Sequence, residues 1–153
     1  IAGLKTFSNG ISFGNETLSV YDEGLWTPHL KASISDTVNH VAAVGGYTKI
    51  GKLVFVTLYI IAQRSTATGV LTIDNLPFTS AGSSLEQAVN VGYTSKITVP
   101  ASYYGPLVGY IGSSSVIVNL LWSKSGAASV QFNAADLDTT NNDFYMSFCY
   151  MTA

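Results

Sequence analysis

Charge is scarce in this chain: seven Lys and Arg and nine Asp and Glu make up 10% of 153 residues, where an average soluble protein carries about 25%. Only Arg64 and six scattered lysines can neutralise phosphate, and a net charge of −2 with pI near 5.5 gives no basic field. Nucleic acid is therefore not an expected partner. Cysteine is nearly absent too. Cys149 stands alone, which excludes an internal disulfide and any CxxC or Cys/His metal spacing. Its expected place is that of a small buried hydrophobe. Long apolar runs are missing: the longest, Leu53 to Ala62, is interrupted by Thr57 and reaches about half of the roughly 20 residues a membrane helix needs. No membrane insertion is expected.

Catalytic signatures are missing as well. There is no G-x-S-x-G nucleophile turn and no phosphate-cradling glycine loop. His29 and His40 have no acidic or cysteine partners at ligand spacing, so no metal site follows. Asp136 and Asp138, two apart, would share one face of a strand as a glycosidase pair must. The surrounding Asn133 to Asn142, however, is a polar turn in which Asp and Asn serve turn formation and capping. The expectation is a protein that is not an enzyme, with no catalytic residues and no cofactor.

What the chain does have is β-branched and aromatic runs separated by Gly, Ser, Thr and Asn. Residues 1–20 read as a Gly- and Ser-bearing connector from an upstream shaft, and the chain reads as a fragment of a longer polypeptide; residues 21–153 read as one domain. Expected strands are Thr27 to Ile34, Val41 to Val44, Tyr47 to Ile50, Leu53 to Gln63, Val70 to Ile73, Val89 to Val99, Leu107 to Ile111, Val116 to Trp122, Ser129 to Phe132 and Phe144 to Met151. Gly51-Lys52 fits a two-residue hairpin turn, where Gly supplies positive φ. No segment keeps helical periodicity, so the fold class is all-β, with a β-sandwich or jelly roll as the expected architecture.

A strand with one wet face should alternate. Leu53 to Ala62 instead places Leu53, Phe55, Tyr59 and Ile61 on one side and Val54, Val56, Leu58, Ile60 and Ala62 on the other. Phe144 to Met151 does likewise. One side fills a core; the other needs a covering loop, another sheet or another subunit. For a small helix-free chain, oligomerisation is the economical answer.

The segment Tyr21-Asp22-Glu23-Gly24-Leu25-Trp26-Thr27-Pro28 resembles the Tyr-Glu-Glu-Gly-Thr-Trp-Thr-Pro signature that opens a C-terminal domain of many phage and prophage tail fibre and tailspike proteins. The likeness continues in order through Gly46 to Val54, Leu76-Pro77-Phe78, Ala134-Ala135-Asp136-Leu137 and Phe148-Cys149-Tyr150. Leu25 stands where Thr is usual, and Cys149 where Gly is common, which points to tighter local packing. The resemblance implies a β-sandwich that forms a homotrimer at the fibre tip, on the virion and outside the cell, and either binds a receptor or stabilises the trimer.

From these residues the expected function is host attachment, through binding of a bacterial surface polysaccharide or lipopolysaccharide. The alternative is a trimerisation clamp with recognition or depolymerase activity upstream. Sugar binding needs aromatic faces and amides. The candidates are Tyr103, Tyr104, Tyr110 and Trp122 beside Gly- and Ser-rich loops, with Asn141 and Asn142. The alternative for each aromatic is that it closes the core.

Overall fold

A computed structural model describes residues 11–13, 16–18, 20–82, 86–101, 105–124 and 126–153. The all-β expectation holds. Strands β1 (Ile11–Phe13) and β2 (Glu16–Leu18) pair as a separate antiparallel hairpin, within the segment read from sequence as a plain connector. The remaining strands are β3 (Tyr21–Trp26), β4 (His29–Ala32), β5 (Asn39–Ile50), β6 (Leu53–Gln63), β7 (Leu71–Asp74), β8 (Gln87–Thr94), β9 (Leu107–Ile111), β10 (Val118–Trp122), β11 (Val130–Gln131) and β12 (Asn142–Met151). Their order is β3-β5-β6-β12-β8-β9-β10-β7-β4, with β11 on β10.

That order forces a shape. β3 and β4 lie at opposite ends of the path yet are joined only by Thr27-Pro28. A link of two residues spans at most about 10 Å. The antiparallel sheet therefore curls until its two edges approach, and the concave side becomes the core. Leu30, Val54, Val56, Ile60, Leu71, Ile73, Ile111, Phe132 and Phe144 all have no exposed surface there. Trp122, Phe132 and Phe144 meet edge to face in sequence, with centroids 5.6 and 6.1 Å apart.

Several expected boundaries change, each for a physical reason. Val41 to Val44 and Tyr47 to Ile50 are one strand, β5, with a register shift between His40 and Ala42. Gly45 does not break it. A Cβ there would lie 2.2 Å from Trp26 Nε1, so the residue is glycine because the indole lies across it. The segment Tyr21–Trp26, absent from the expected strands, is a full edge strand paired with β5 from Tyr21↔Ile50 to Trp26↔Gly45. The strand expected from Thr27 begins only at His29, since Pro28 has no N–H to give a ladder. Gly51 turns β5 into β6 with φ of +58°, as the hairpin reading required.

Blocks that are far apart in sequence meet in pairs. The Tyr150 hydroxyl donates to Phe78 O at 3.0 Å and accepts from Phe78 N at 3.1 Å, and burial pushes its pKa up to about 12. The Trp122 indole donates to Asp136 Oδ2 at 2.9 Å. Asp136 sits in a 3-10 turn, Ala134–Asp136, and also accepts from Asn133 N.

Both ends of the described domain reach one turn. Gly51 N donates to Val20 O, and Thr152 N donates to Lys52 O.

A histidine closes the edge contact near β4. His40 Nε2 accepts from Leu30 N at 3.0 Å, so its neutral form is the one that fits. Burial, then the neighbouring His29, lowers its pKa; His29 Nε2 itself lies 3.5 Å from Asp36 Oδ2. A His with lowered folded pKa binds fewer protons folded than unfolded, so its contribution is complete above the ordinary value of 6.5 and is lost as pH falls below it. Denaturation at fixed protein concentration should show stability falling as pH drops through and below the ordinary histidine value of 6.5. His40→Gln keeps an acceptor and should flatten that slope; an unchanged slope would assign it to other groups.

Candidate functional site

Burial along β6 settles which side of each two-faced strand is the core. Val54, Val56, Leu58, Ile60 and Ala62 are buried, whereas Leu53 and Phe55 are 44% and 45% exposed. On β12, Phe144, Met146, Phe148 and Tyr150 point inward, and Tyr145 and Met151 are exposed. No described loop covers the outer side of these strands.

Register assembles that outer side into rows across β3, β5, β6 and β12. Tyr21, Ile50, Leu53 and Met151 form the first. Glu23, Thr48, Phe55 and Cys149 form the second, and Leu25, Gly46, Thr57 and Ser147 the third. Val44, Tyr59, Tyr145 and, from β8, Tyr93 form the fourth. The Tyr59 and Tyr145 rings stack at 4.5 Å, and Tyr93 meets Tyr145 edge-on at 5.6 Å. Desolvation, then Tyr145, raises the Tyr59 pKa, so its hydroxyl stays neutral. The centre of the face carries no charge.

Leu25 stands highest on this face, at 82% exposure. Hollows lie on either side of it above Gly46, bounded by Phe55 and Thr57 on one side and by Val44, Thr57 and Tyr59 on the other. Leu25 thus presents apolar surface that no described residue covers. Cys149 is a correction: it is exposed, not buried. It alternates with inward Phe148 and Tyr150 on β12 and therefore faces outward opposite Phe55.

The candidate sugar-binding residues do not form one site. Tyr103 and Tyr104 lie outside the described residues. Trp122 is 2% exposed and its N–H is bound by Asp136, so it belongs to the core rather than to a ligand face. Asn142 is a second correction. It is fully buried, donates to Ala62 O, Asp138 O and Thr140 O, and accepts from Asp138 N; its polar atoms hold the β12 approach together. Tyr110 is half-buried on β9, between Ala88 and Asn119. Asn141 is exposed beyond the far end of β8, where Thr94 pairs with Phe144. Ala88 and Thr94 are six positions apart along β8, which separates Tyr110 from Asn141 by roughly 20 Å.

Neither Asp136 nor Asp138 has the setting of an acid or base. Asp136 bonds the Trp122 indole, and the Thr140 backbone N–H holds the Asp138 carboxyl below its usual range. No group of His, Cys, Asp and Glu suited to a metal occurs among the described residues.

From sequence Leu25 was noted only as a departure from the signature, and the tyrosine row was not singled out. Tyr59 and Tyr145 carried a signal, since each lies on the second apolar side of a two-faced strand. Only the pairing of β6 with β12 puts them in one row. Compared with known proteins, the chain matches no family model, no curated protein and no solved structure.

Proposed function

We propose that this chain is a self-associating domain of the phage tail fibre or tailspike type, a homotrimer that acts on the virion, outside the cell, during host attachment. The curled sheet would serve as its β-sandwich or jelly-roll-like wall. The observation that carries self-association is the uncovered apolar face. Five strands about 4.8 Å apart and nine residues along β6 give it roughly 700 Å², near the ~800 Å² each partner contributes to a stable interface. Its charged members, Glu23 and Asp143, stand at its margins, as at a desolvated interface. The threefold number and the phage context come from the sequence resemblance.

A bacterial surface polysaccharide or lipopolysaccharide is the proposed partner for surface outside this face, where Tyr110 and Asn141 remain accessible. The burial of Trp122 and Asn142 favours the second reading, a trimerisation clamp with recognition elsewhere in the fibre. Light scattering at micromolar concentration should return about three times 16.2 kDa. Twice that mass would keep self-association and remove the threefold symmetry, and a monomer would overturn both.

A further inference from the structure

At the end of β6 remote from the Gly51 turn, the chain leaves the sheet at Gln63 and continues into Arg64. Ser65 follows with φ of +48°, a left-handed conformation that a non-glycine residue adopts only under constraint. The loop and the segment before β12 enclose a cleft of about 460 Å³, lined by Arg64, Ser65, Thr66, Thr68, Asn133 and Ala135 among others. That size lies within the usual range for small-ligand sites.

Arg64 is the only arginine. The sole hydrogen bond of its guanidinium among the described residues is a long one, 3.5 Å from Nη1 to Ala135 O. Elsewhere Lys31 pairs with Asp74 at 3.1 Å and Lys49 lies 4.4 Å over the Phe78 ring. On the adjoining segment, Asp136 Oδ2 accepts from Trp122 and Asn133, and Asp138 Oδ1 accepts from Thr140 N. A planar guanidinium with most of its five donors unbonded to any described residue suits a two-oxygen anion.

The surroundings suit hydroxyl groups. Asn39 Nδ2 donates to Gln63 Oε1, and Gln63 Nε2 donates to Asn141 Oδ1, both at 2.8 Å, forming an amide chain that ends beside Arg64. Thr37 and Thr66 share a hydroxyl bond of 2.9 Å. Of these side chains Thr66 lines the cleft itself, where Ser65, Thr68 and Asn133 add neutral polar groups beside the Arg64 cation, a composition that fits a sugar bearing one negative group.

We propose that the Arg64 cleft binds the carboxylate or phosphate of an acidic sugar in a surface glycan, with the guanidinium on the anion and the Ser65, Thr66, Thr68 and Asn133 side chains toward the hydroxyls. This rests on the glycan part of the proposed function and adds the class of sugar.

Isothermal titration of the whole chain would compare trigalacturonate, its neutral methyl ester, and glucose 1-phosphate. Expected is binding of one or both anionic probes at least tenfold tighter than the ester, weakening with salt. Arg64→Gln should abolish that preference without changing the thermal midpoint or the oligomeric mass. Preference for trigalacturonate assigns the site to carboxylate sugars, and preference for glucose 1-phosphate to phosphorylated ones. Arg64→Lys should retain more phosphate binding than carboxylate binding, because a point charge replaces a fork. Equal binding of ester and acid, or an Arg64→Gln variant that binds acid unchanged, overturns the acidic-sugar site while leaving glycan binding in place. No binding to any probe or to host polysaccharide overturns both the site and the glycan reading.

Discussion

Val56→Asp is expected to leave no folded chain, whereas Phe55→Asp, its immediate neighbour, is expected to leave a folded monomer. Val56 has no exposed surface and faces Tyr47 and Phe148 across the ladder, inside the curl. An ionised carboxylate there has no partner, and an unpaired buried charge costs several kcal/mol. That is a large part of the roughly 5–15 kcal/mol that holds a domain together. Phe55 is 45% exposed and points the other way, between Thr48 and Cys149. In the isolated subunit a carboxylate at that position stays hydrated; in an assembly it is desolvated. Circular dichroism and light scattering on both variants separate the two roles. A Phe55→Asp trimer as stable as wild type would place the interface elsewhere, and a folded Val56→Asp would contradict the assignment of the core.

Trp122→Ala is expected to destabilise the fold by about 3–5 kcal/mol, the usual cost of truncating a buried aromatic. For a chain of this size that lowers Tm by roughly 10 °C. The indole packs at 5.6 Å against Phe132 and donates to Asp136, so the change opens a cavity and removes one of the two hydrogen bonds to the Asp136 carboxylate. Trp122→Phe should cost less, retaining most of the packing while losing the hydrogen bond. Were Trp122 a sugar platform instead, Tm would hardly move and glycan binding would fall. Differential scanning calorimetry with one binding assay distinguishes these outcomes.

Much of the fold was legible in sequence because local pattern and tertiary need agree. β6 and β9 run from Leu53 to Gln63 and from Leu107 to Ile111, as the uninterrupted β-branched and aromatic runs indicated. Where they disagree, the sequence misleads. Gly45-Gly46 looks like a turn, yet the glycine is required by an indole lying across the strand, a contact no local pattern encodes. Trp122 and Asn142 sit beside polar stretches, and their burial is decided by what folds over them. The two-sided apolarity of β6 and β12 showed that a face would be left over. It did not show which one, since that depends on the direction in which the sheet curls. Arg64 carried no signal, because an isolated arginine after a strand is unremarkable until its loop encloses it.

The meeting of Val20 and Thr152 at the Gly51-Lys52 turn has a practical side. Leu53 and Arg64 stand at opposite ends of β6, about 35 Å apart at the rise of an extended strand. A tether attached at Val20 or at Thr152 therefore holds the molecule by the same pole. Beads or sensor chips loaded through a linker at either of these two positions would display the Arg64 cleft in the same outward orientation and should give matching response curves for a glycan. The uncovered sheet face would lie along the flank in both cases, free to meet neighbouring copies on a densely loaded surface.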